Sequence, residues 1–468
     1  MEPAMTSAST AFDYSGRIRE GGLVARQALV LVMLGLLVIF DGMDNQLLGL
    51  IAHDMGRDLD IPISSFGMIF SSAFFGAITG ALLLSPLADH HLGRKRVAML
   101  GMVLAGACTI ATAYAETLVQ LLSIRFLTGF GLGAALPILI SLASEFSPLR
   151  HSRLIVSLML AFVPLGSALA SILAKLVAGH GPWSLLLVIA GISTLVLTAG
   201  AALLIPESVT FLVRRRDHAR AISSVHRLFG PSRIDAVLVD EDRAGGDRPD
   251  KQPLAQLLSA RFRKLTALFW IAFLIDSAVL HLFLSWTPTL LIKSGLSSVE
   301  AVNAAAMFGL GGAIGTVGQA WLASRFDIYR VMYVEILVSI AAMLALSMVV
   351  HEPDMVDAMT FIIAATMCAF HTGLTNLVLE TFPEAVKATA LGWAIGVGRF
   401  GAAGAPLLIG FLIALKWHPS LLFIGASFLG VIAGAALIIV QLAVVRSAEL
   451  QSFPNHPERR VKYGDARR

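Results

Sequence analysis

Residues Ala28–Ile51 read ALVLVMLGLLVIFDGMDNQLLGLI, an apolar run interrupted by two carboxylates, Asp41 and Asp44. About 20 apolar residues, wound as a helix, cross the ~30 Å hydrocarbon layer of a bilayer. The run is therefore long enough to be a membrane span. A span has little tolerance for an idle charge, because an ionised group at the bilayer centre costs at least ~2.5 kcal/mol. Two demands follow for the rest of the chain: more lipid-facing segments, and partners for those acids.

The first demand is met throughout. Of 468 residues 56% are hydrophobic and only 14% charged, a composition that excludes a soluble domain of this length. Apolar runs between polar breaks place spans near 28–51, 65–88, 97–115, 119–144, 154–179, 183–205, 265–291, 299–322, 331–350, 356–380, 388–414 and 420–445. The chain reads as an all-α membrane protein of twelve transmembrane helices.

Basic residues give it an orientation. Loops on one side carry Arg94, Lys95 and Arg96, then Arg150 and Arg153, the central insert, and Arg325 and Arg330; the opposite loops offer Arg57, Lys293 and Lys416. That bias puts both termini and the insert in the cytoplasm, and it accounts for the basic charge without nucleic-acid binding. Residues 1–27 lack the pattern of a secretory signal, so the first run reads as an uncleaved span in the cytoplasmic (inner) membrane, and 446–468 form a second cytoplasmic tail.

The insert, residues 206–264, separates a bundle of six spans at 28–205 from another at 265–445. Within it Phe211, Leu212, Ala219, Ile222, Val225 and Leu228 recur at helical spacing among Arg214, Arg215, Arg216 and Arg220, as in a helix lying along the membrane surface. Gly245, Gly246 and Asp247 mark a flexible linker.

The two halves repeat at one offset of 235 positions: Asp41 and Asp276, Gly76 and Gly311, Gly80 and Gly315, Ala88 and Ala323, Glu145 and Glu380, Pro148 and Pro383. Single matches of glycine or alanine carry little weight in so biased a sequence. Two scarce intramembrane acids and a Glu-x-x-Pro sharing one register carry more. They point to a parallel pseudo-repeat with a cavity between the bundles at the midplane.

Charges inside that cavity define the chemistry. Asp41 and Asp44 share a helical face. Arg125, in a span of opposite direction, falls at the depth of Asp44, and Arg399 at the depth of Asp41. A carboxylate in low dielectric takes up a proton, and an arginine fork holds an organic carboxylate. These four residues therefore suit proton coupling and anion binding; Asp44 and Arg125 also suit a fixed ion pair. Asp276 and His281 would extend a proton path, whereas a lone histidine such as His281 or His371 is more often a hydrogen-bonding member of a packed helix interface. Glu145 and Glu380, at equivalent cytoplasmic span ends near Arg150, Arg153 and Lys387, suit salt bridges between the bundles that break as the carrier changes state.

Phe70, Phe74, Phe75, Phe283, Trp286, Trp393 and Phe400 would offer flat walls near the midplane around Arg399. The glycines at 129, 131 and 133 follow no strand, so they read as close helix packing and not as a nucleotide fingerprint. Cys108 and Cys368 lie in apolar runs without ligand-spaced neighbours, which argues against a disulfide or a metal site. No Ser/His/Asp, His-x-x-x-His or paired-acid arrangement favours an enzyme. A receptor built on a transporter fold is disfavoured by the short insert.

Specific motifs sharpen the reading. Pro86-Leu-Ala-Asp89-His-His-Leu-Gly93-Arg94-Lys95-Arg96 resembles the loop signature of the major facilitator superfamily, and Arg125 to Gly133 resembles its fourth-span motif. Asp41-Gly-Met-Asp44, Ser285-Trp286-Thr-Pro288, Gly396-Val-Gly-Arg399-Phe-Gly401 and Pro206-Glu207-Ser208 resemble the aromatic acid:proton symporter family within it. The resemblance implies a monomeric alternating-access carrier that imports benzoate-like or hydroxylated aromatic acids with protons and needs no cofactor. It assigns Asp41, Asp44 and Arg125 to coupling, Arg399 to the substrate carboxylate, and Asp89 and Arg94 to a cytoplasmic gate. Phe74, Trp286, Trp393 and His281 complete the expected binding site. The loop departs from the signature in Ser85, in His90 and in one extra residue before Gly93, departures that bear on the Asp89 gating contact. A carrier of non-aromatic organic anions or sugars is the alternative.

Overall fold

The computed structural model describes residues 11–178, 180–230, 236–239, 253–259 and 262–452. Among them are twelve helices long and apolar enough to cross a membrane. Spans one to six are Ala25–Asp58, Phe66–Leu87, Arg94–Thr112, Leu118–Phe146, Leu149–Val177 and Trp183–Leu204. Spans seven to twelve are Arg263–Lys293, Ser298–Ala323, Ile328–Met348, Pro353–Thr381, Glu384–Ala414 and Pro419–Ser452. Polar caps set several of the starts. Thr117 accepts from the Gln120 amide, Ser297 from Glu300 and Asp327 from Arg330. Span one outruns its apolar stretch, continuing through His53, Asp54 and Arg57 to Asp58, because backbone hydrogen bonding continues where hydropathy stops.

The spans pack as two six-helix bundles with matching internal neighbours. Span one packs on five and six, two on four, and three on four and six; seven, eight and nine repeat those pairings with eleven and twelve, ten, and ten and twelve. The repeat extends to individual contacts. A methyl added at Gly76 or Gly80 would strike the carbonyls of Phe126 or Phe130, and one added at Gly311 or Gly315 would strike Phe361 or Ala365, each acceptor displaced by the same 235 positions. Only glycine lets the backbones approach so closely.

Between bundles, span two meets eleven, five meets eight and one meets seven. The apolar interior shows where. One cluster unites both bundles at the end remote from the insert, with Leu47, Phe66 and Phe70 of the first against Phe283, Trp286 and Ile409 of the second. At the insert end the interior is split into separate clusters, one per bundle. The molecule is thus sealed at its far end and parted at its insert end.

The amphipathic stretch of the insert is helical, but not as one continuous helix. A short helix forms at Pro253–Leu257, and two more, Val209–Arg214 and His218–Phe229, are capped by Ser208 and Asp217. The break falls at Arg215–Asp217, where Arg216 takes φ +58° and the Asp217 carboxylate caps a new start. Their apolar face, with Phe211, Leu212, Ala221, Val225 and Leu228, is buried on the first bundle. A short parallel strand pair, Ala11–Asp13 with Ala236–Leu238, ties the N-terminal segment to the insert; no hydropathy signal marks it. The expected linker at Gly245 to Asp247 lies outside the described residues, as do 1–10 and 453–468.

Candidate functional site

The seam between the bundles meets span one at its middle. Span one is locked in rotation by glycine contacts with span five: Gly42 sits against the Val163 carbonyl, and Gly166 against that of Ile39. Ser167 Oγ adds a hydrogen bond to the Gly42 carbonyl at 3.3 Å. With that face fixed, Asp41 and Asp44 project into the interior, and both are buried.

Asp44 is fully engaged. Arg125 Nη2 donates to its Oδ2 at 3.0 Å and Nη1 to its Oδ1 at 3.4 Å, while Thr109 Oγ1 donates to Oδ1 at 2.6 Å. The bidentate fork is the strong geometry for this pair. Thr109, a hydroxyl at the depth of Asp44 in span three, was legible only as one polar residue in an apolar run.

Asp41 lies within the electrostatic reach of Asp44 and of Arg399. Arg399 comes from span eleven across the seam, where Nη1 donates to the Ala77 carbonyl at 3.2 Å and Nη2 to that of Gly133 at 3.5 Å. Among the described residues Arg399 forms no ion pair. Carbonyls orient a guanidinium without cancelling its charge. The site is therefore a held cation beside a buried acid, both at the level where the bundles part.

The second bundle repeats the acid with a different partner. Asp276, fully buried, is bonded through Oδ2 to His371 Nδ1 at 2.6 Å, and its Oδ1 has no partner among the described residues. His371 thus makes a hydrogen bond between spans ten and seven within the second bundle. His281 Nδ1 binds the Ser277 carbonyl at 2.8 Å, and its ring meets Phe74 of span two edge-on at 4.8 Å. Phe74 and His281 therefore stand together at the seam, as the sequence suggests.

The two tryptophans do not join them. Trp286 is completely buried in the far-end seal, edge-on to Phe70 at 5.3 Å, so it plugs the closed end and lines no open vestibule. Trp393 stacks on Trp270 and shares an exposed apolar stripe with Phe400 and Phe411. Six positions from Arg399, it points about 120° away around the helix. Sequence placed both by depth, which says nothing of rotation. Glu335 of span nine escaped the sequence reading altogether, although it is a lone acid in the run Tyr333-Val-Glu-Ile-Leu-Val; it is buried, and both carboxylate oxygens lack a hydrogen-bond partner among the described residues.

At the insert end Glu145 is the hub of a network. Its carboxylate accepts from Arg94 Nη1 at 3.3 Å, Ser208 Oγ at 2.7 Å, and the Thr210 amide and hydroxyl at 3.0 Å each. Arg94 Nε also holds Asp89 at 2.8 Å, and Glu207 accepts from the Lys95 amide at 2.8 Å. All of these partners belong to the first bundle and its linker. With the insert end parted, Glu145 is held in an intra-bundle clasp by Arg94 and by Ser208 and Thr210, on the chain leaving span six. Glu380 and Arg150 are exposed, and the Arg153 side chain lies outside the described residues.

Two duplicated bundles around a charged seam define a class of membrane protein in which the seam is the working part. The family model described as Major Facilitator Superfamily matches residues 34–406. The 4-hydroxybenzoate transporter PcaK of Pseudomonas putida is 31% identical over 427 residues, covering 89% of this chain and 93% of that one. The gallate transporter of the same species is 30% identical, covering 89% and 92%. Among solved structures, a bacterial homolog of the human lysosomal transporter Spinster, inward-facing and unoccupied, aligns with a TM-score of 0.67 at 15% identity, covering 91% of this chain and 99% of that one; it supports the fold alone. The chain belongs to the Major Facilitator Superfamily and, within it, to the family of the aromatic acid transporters. It is a multi-pass membrane transporter and not an enzyme.

Proposed function

We propose that the chain imports small aromatic carboxylic acids of the benzoate or hydroxybenzoate type together with protons, by alternating access across the cytoplasmic membrane. The insert end and both termini then face the cytoplasm, the side favoured by the basic loops. The repeats at 28–205 and 265–445 are the moving units, and the protein works as a monomer. The observation that carries the reading is Arg399, a cation reaching across the seam to the first bundle with Asp41 in its field and no ion pair among the described residues.

The coupling is electrostatic. Arg399 faces one buried acid, and a substrate carboxylate would make two negative charges against one positive. A bound acid therefore favours a proton on Asp41, and a proton on Asp41 favours the acid, which is reciprocal linkage between two ligands. Asp44, next to Asp41 on the same helix face, passes the change through Thr109 and Arg125 into spans three and four. Phe74 and His281 flank the aromatic ring. The clasp of Asp89, Arg94 and Glu145 stabilises the parted insert end.

Proteoliposomes with an imposed pH gradient test this. Radiolabelled 4-hydroxybenzoate or benzoate is expected to accumulate, faster at lower external pH, and to leak back when an uncoupler is added. Accumulation that survives the uncoupler overturns the coupling. Competition by unlabelled aliphatic acids or sugars as strong as that by aromatic acids overturns the substrate class.

A further inference from the structure

A cavity of about 620 Å³ opens at the insert end, walled by the first turn of span three, the chain leaving span six and the two capped linker helices. Spans three and six make none of the main inter-bundle contacts, so this cavity is peripheral to the seam. Five cations line it: Lys95, Arg96, Arg215, Arg220 and Arg227. The acids are two, Glu207 and Asp217. Both acids are already committed. Glu207 Oε1 accepts from the Lys95 and Ser208 amides, and Asp217 caps its helix at the Arg220 amide.

The cations are held in place, and among the described residues only Arg220 of the five has an ion pair, its Nε lying 3.5 Å from Asp217 Oδ2 on the surface. Arg215 Nη1 donates to the His91 carbonyl at 2.7 Å, and Arg227 Nη1 to the Leu203 carbonyl at 3.2 Å. Lys95 lies within the electrostatic reach of two cations, Arg227 and Arg96, and of one acid, Glu207. Like charges gathered around a concavity repel one another, and they focus positive potential on whatever enters it. Guanidiniums anchored on carbonyls keep their remaining N–H donors available, the arrangement suited to a tetrahedral oxyanion. Exposed apolar side chains adjoin the cavity: Leu92 lines it, and Leu203, whose carbonyl holds the lining residue Arg227, stands nearby.

We infer that this cavity binds a phosphoryl group, supplied by an anionic phospholipid headgroup whose chains lie along these exposed side chains, or by a small soluble phosphate ester. Phosphate fits better than a carboxylate because its oxygens can engage several cations at once. The site is separate from the substrate seam and clamps the linker to span three.

The test uses the purified full-length protein in detergent at constant ionic strength, with thermal unfolding followed during titration. The probes are inorganic phosphate, glycerol 3-phosphate and short-chain phosphatidylglycerol, with short-chain phosphatidylcholine as the zwitterionic control. A saturable rise in midpoint is expected with an anionic phosphate and not with phosphatidylcholine. A response to glycerol 3-phosphate assigns the site to soluble esters; a response confined to phosphatidylglycerol assigns it to lipid. In Arg96→Gln/Arg220→Gln the half-saturating concentration should rise roughly tenfold or more, as expected for lost charge-assisted bonds. Arg220→Gln alone is the milder variant, since residue 220 completes the Asp217 cap through its backbone. No saturable response, an equal response to phosphatidylcholine, or unchanged half-saturation in both variants overturns the inference.

Discussion

Arg94 Nε lies 2.8 Å from Asp89 Oδ1 across a turn, Ala88–Leu92, that is wound as a π-helix. This loop has one residue more before its glycine than the signature it resembles. A π turn absorbs a single extra residue without breaking the helix. The Asp89–Arg94 contact within the loop thus forms despite the extra residue, and Gly93 completes the reversal at φ +95°.

Gly93→Ala tests that turn. An L side chain is strained at this φ, and its Cβ would meet the Glu207 carboxylate. Such a position costs of order 1–3 kcal/mol. Thermal unfolding of the variant is expected at a lower midpoint with reduced uptake; an unchanged midpoint means that the turn carries no strain.

The Asp44–Arg125 pair makes a separate prediction. Removing one partner of a buried ion pair leaves an unmatched charge and costs about 3–5 kcal/mol. Asp44→Asn and Arg125→Gln are each expected to lower the unfolding midpoint, and the double variant to recover much of it. Proton-driven uptake is expected to stay low in all three. A double variant that regains driven uptake would reduce the pair to a structural brace.

Arg399→Lys separates charge from geometry. Lysine keeps the charge but loses the planar fork that spans the carbonyls of Ala77 and Gly133. Affinity for an aromatic acid, read by thermal shift or calorimetry, is expected to fall about tenfold or more, and Arg399→Ala is expected to abolish binding in a protein that still folds. Unchanged affinity in Arg399→Ala removes this residue from substrate binding.

These predictions rest on features of unequal legibility. Apolar run length located all twelve spans, and the 235-position offset led to the matched Gly76 and Gly311 contacts, because bilayer thickness and close helix packing act on the chain locally. Depth along a span located Asp44 opposite Arg125 for the same reason. Rotation about the helix axis is set by partners distant in sequence, and that is where Trp286 and Trp393 were misplaced. The Glu145 clasp was missed because its acceptors meet Ser208 and Thr210 only after span six returns to the same surface.

The far-end seal makes a prediction about conformation. Gly67 packs against the Pro406 carbonyl and Gly410, and Ser71 Oγ donates to the Ala403 carbonyl at 2.6 Å, joining spans two and eleven. Gly67→Leu has no room there, so it is expected to hold the far end open. A cysteine placed at Ala403, buried in the sealed state, should then react with a polar maleimide faster than in the parent, while net uptake falls. Equal labelling would mean that the seal closes around the larger side chain.

Glu335 poses the last question, since it is a buried acid that the coupling scheme does not use. Its two carboxylate oxygens, and Ser339 Oγ one turn on, have no hydrogen-bond partner among the described residues. A buried polar group without a partner costs about 1–3 kcal/mol, and replacing it with an apolar side chain of similar volume removes that cost. Glu335→Met is therefore expected to raise the unfolding midpoint and leave uptake unchanged. A lower midpoint would mean that the carboxylate is satisfied in the membrane by a bound water or proton. A raised midpoint with lost uptake would mean that the cost is retained for transport, and would add span nine to the proton route.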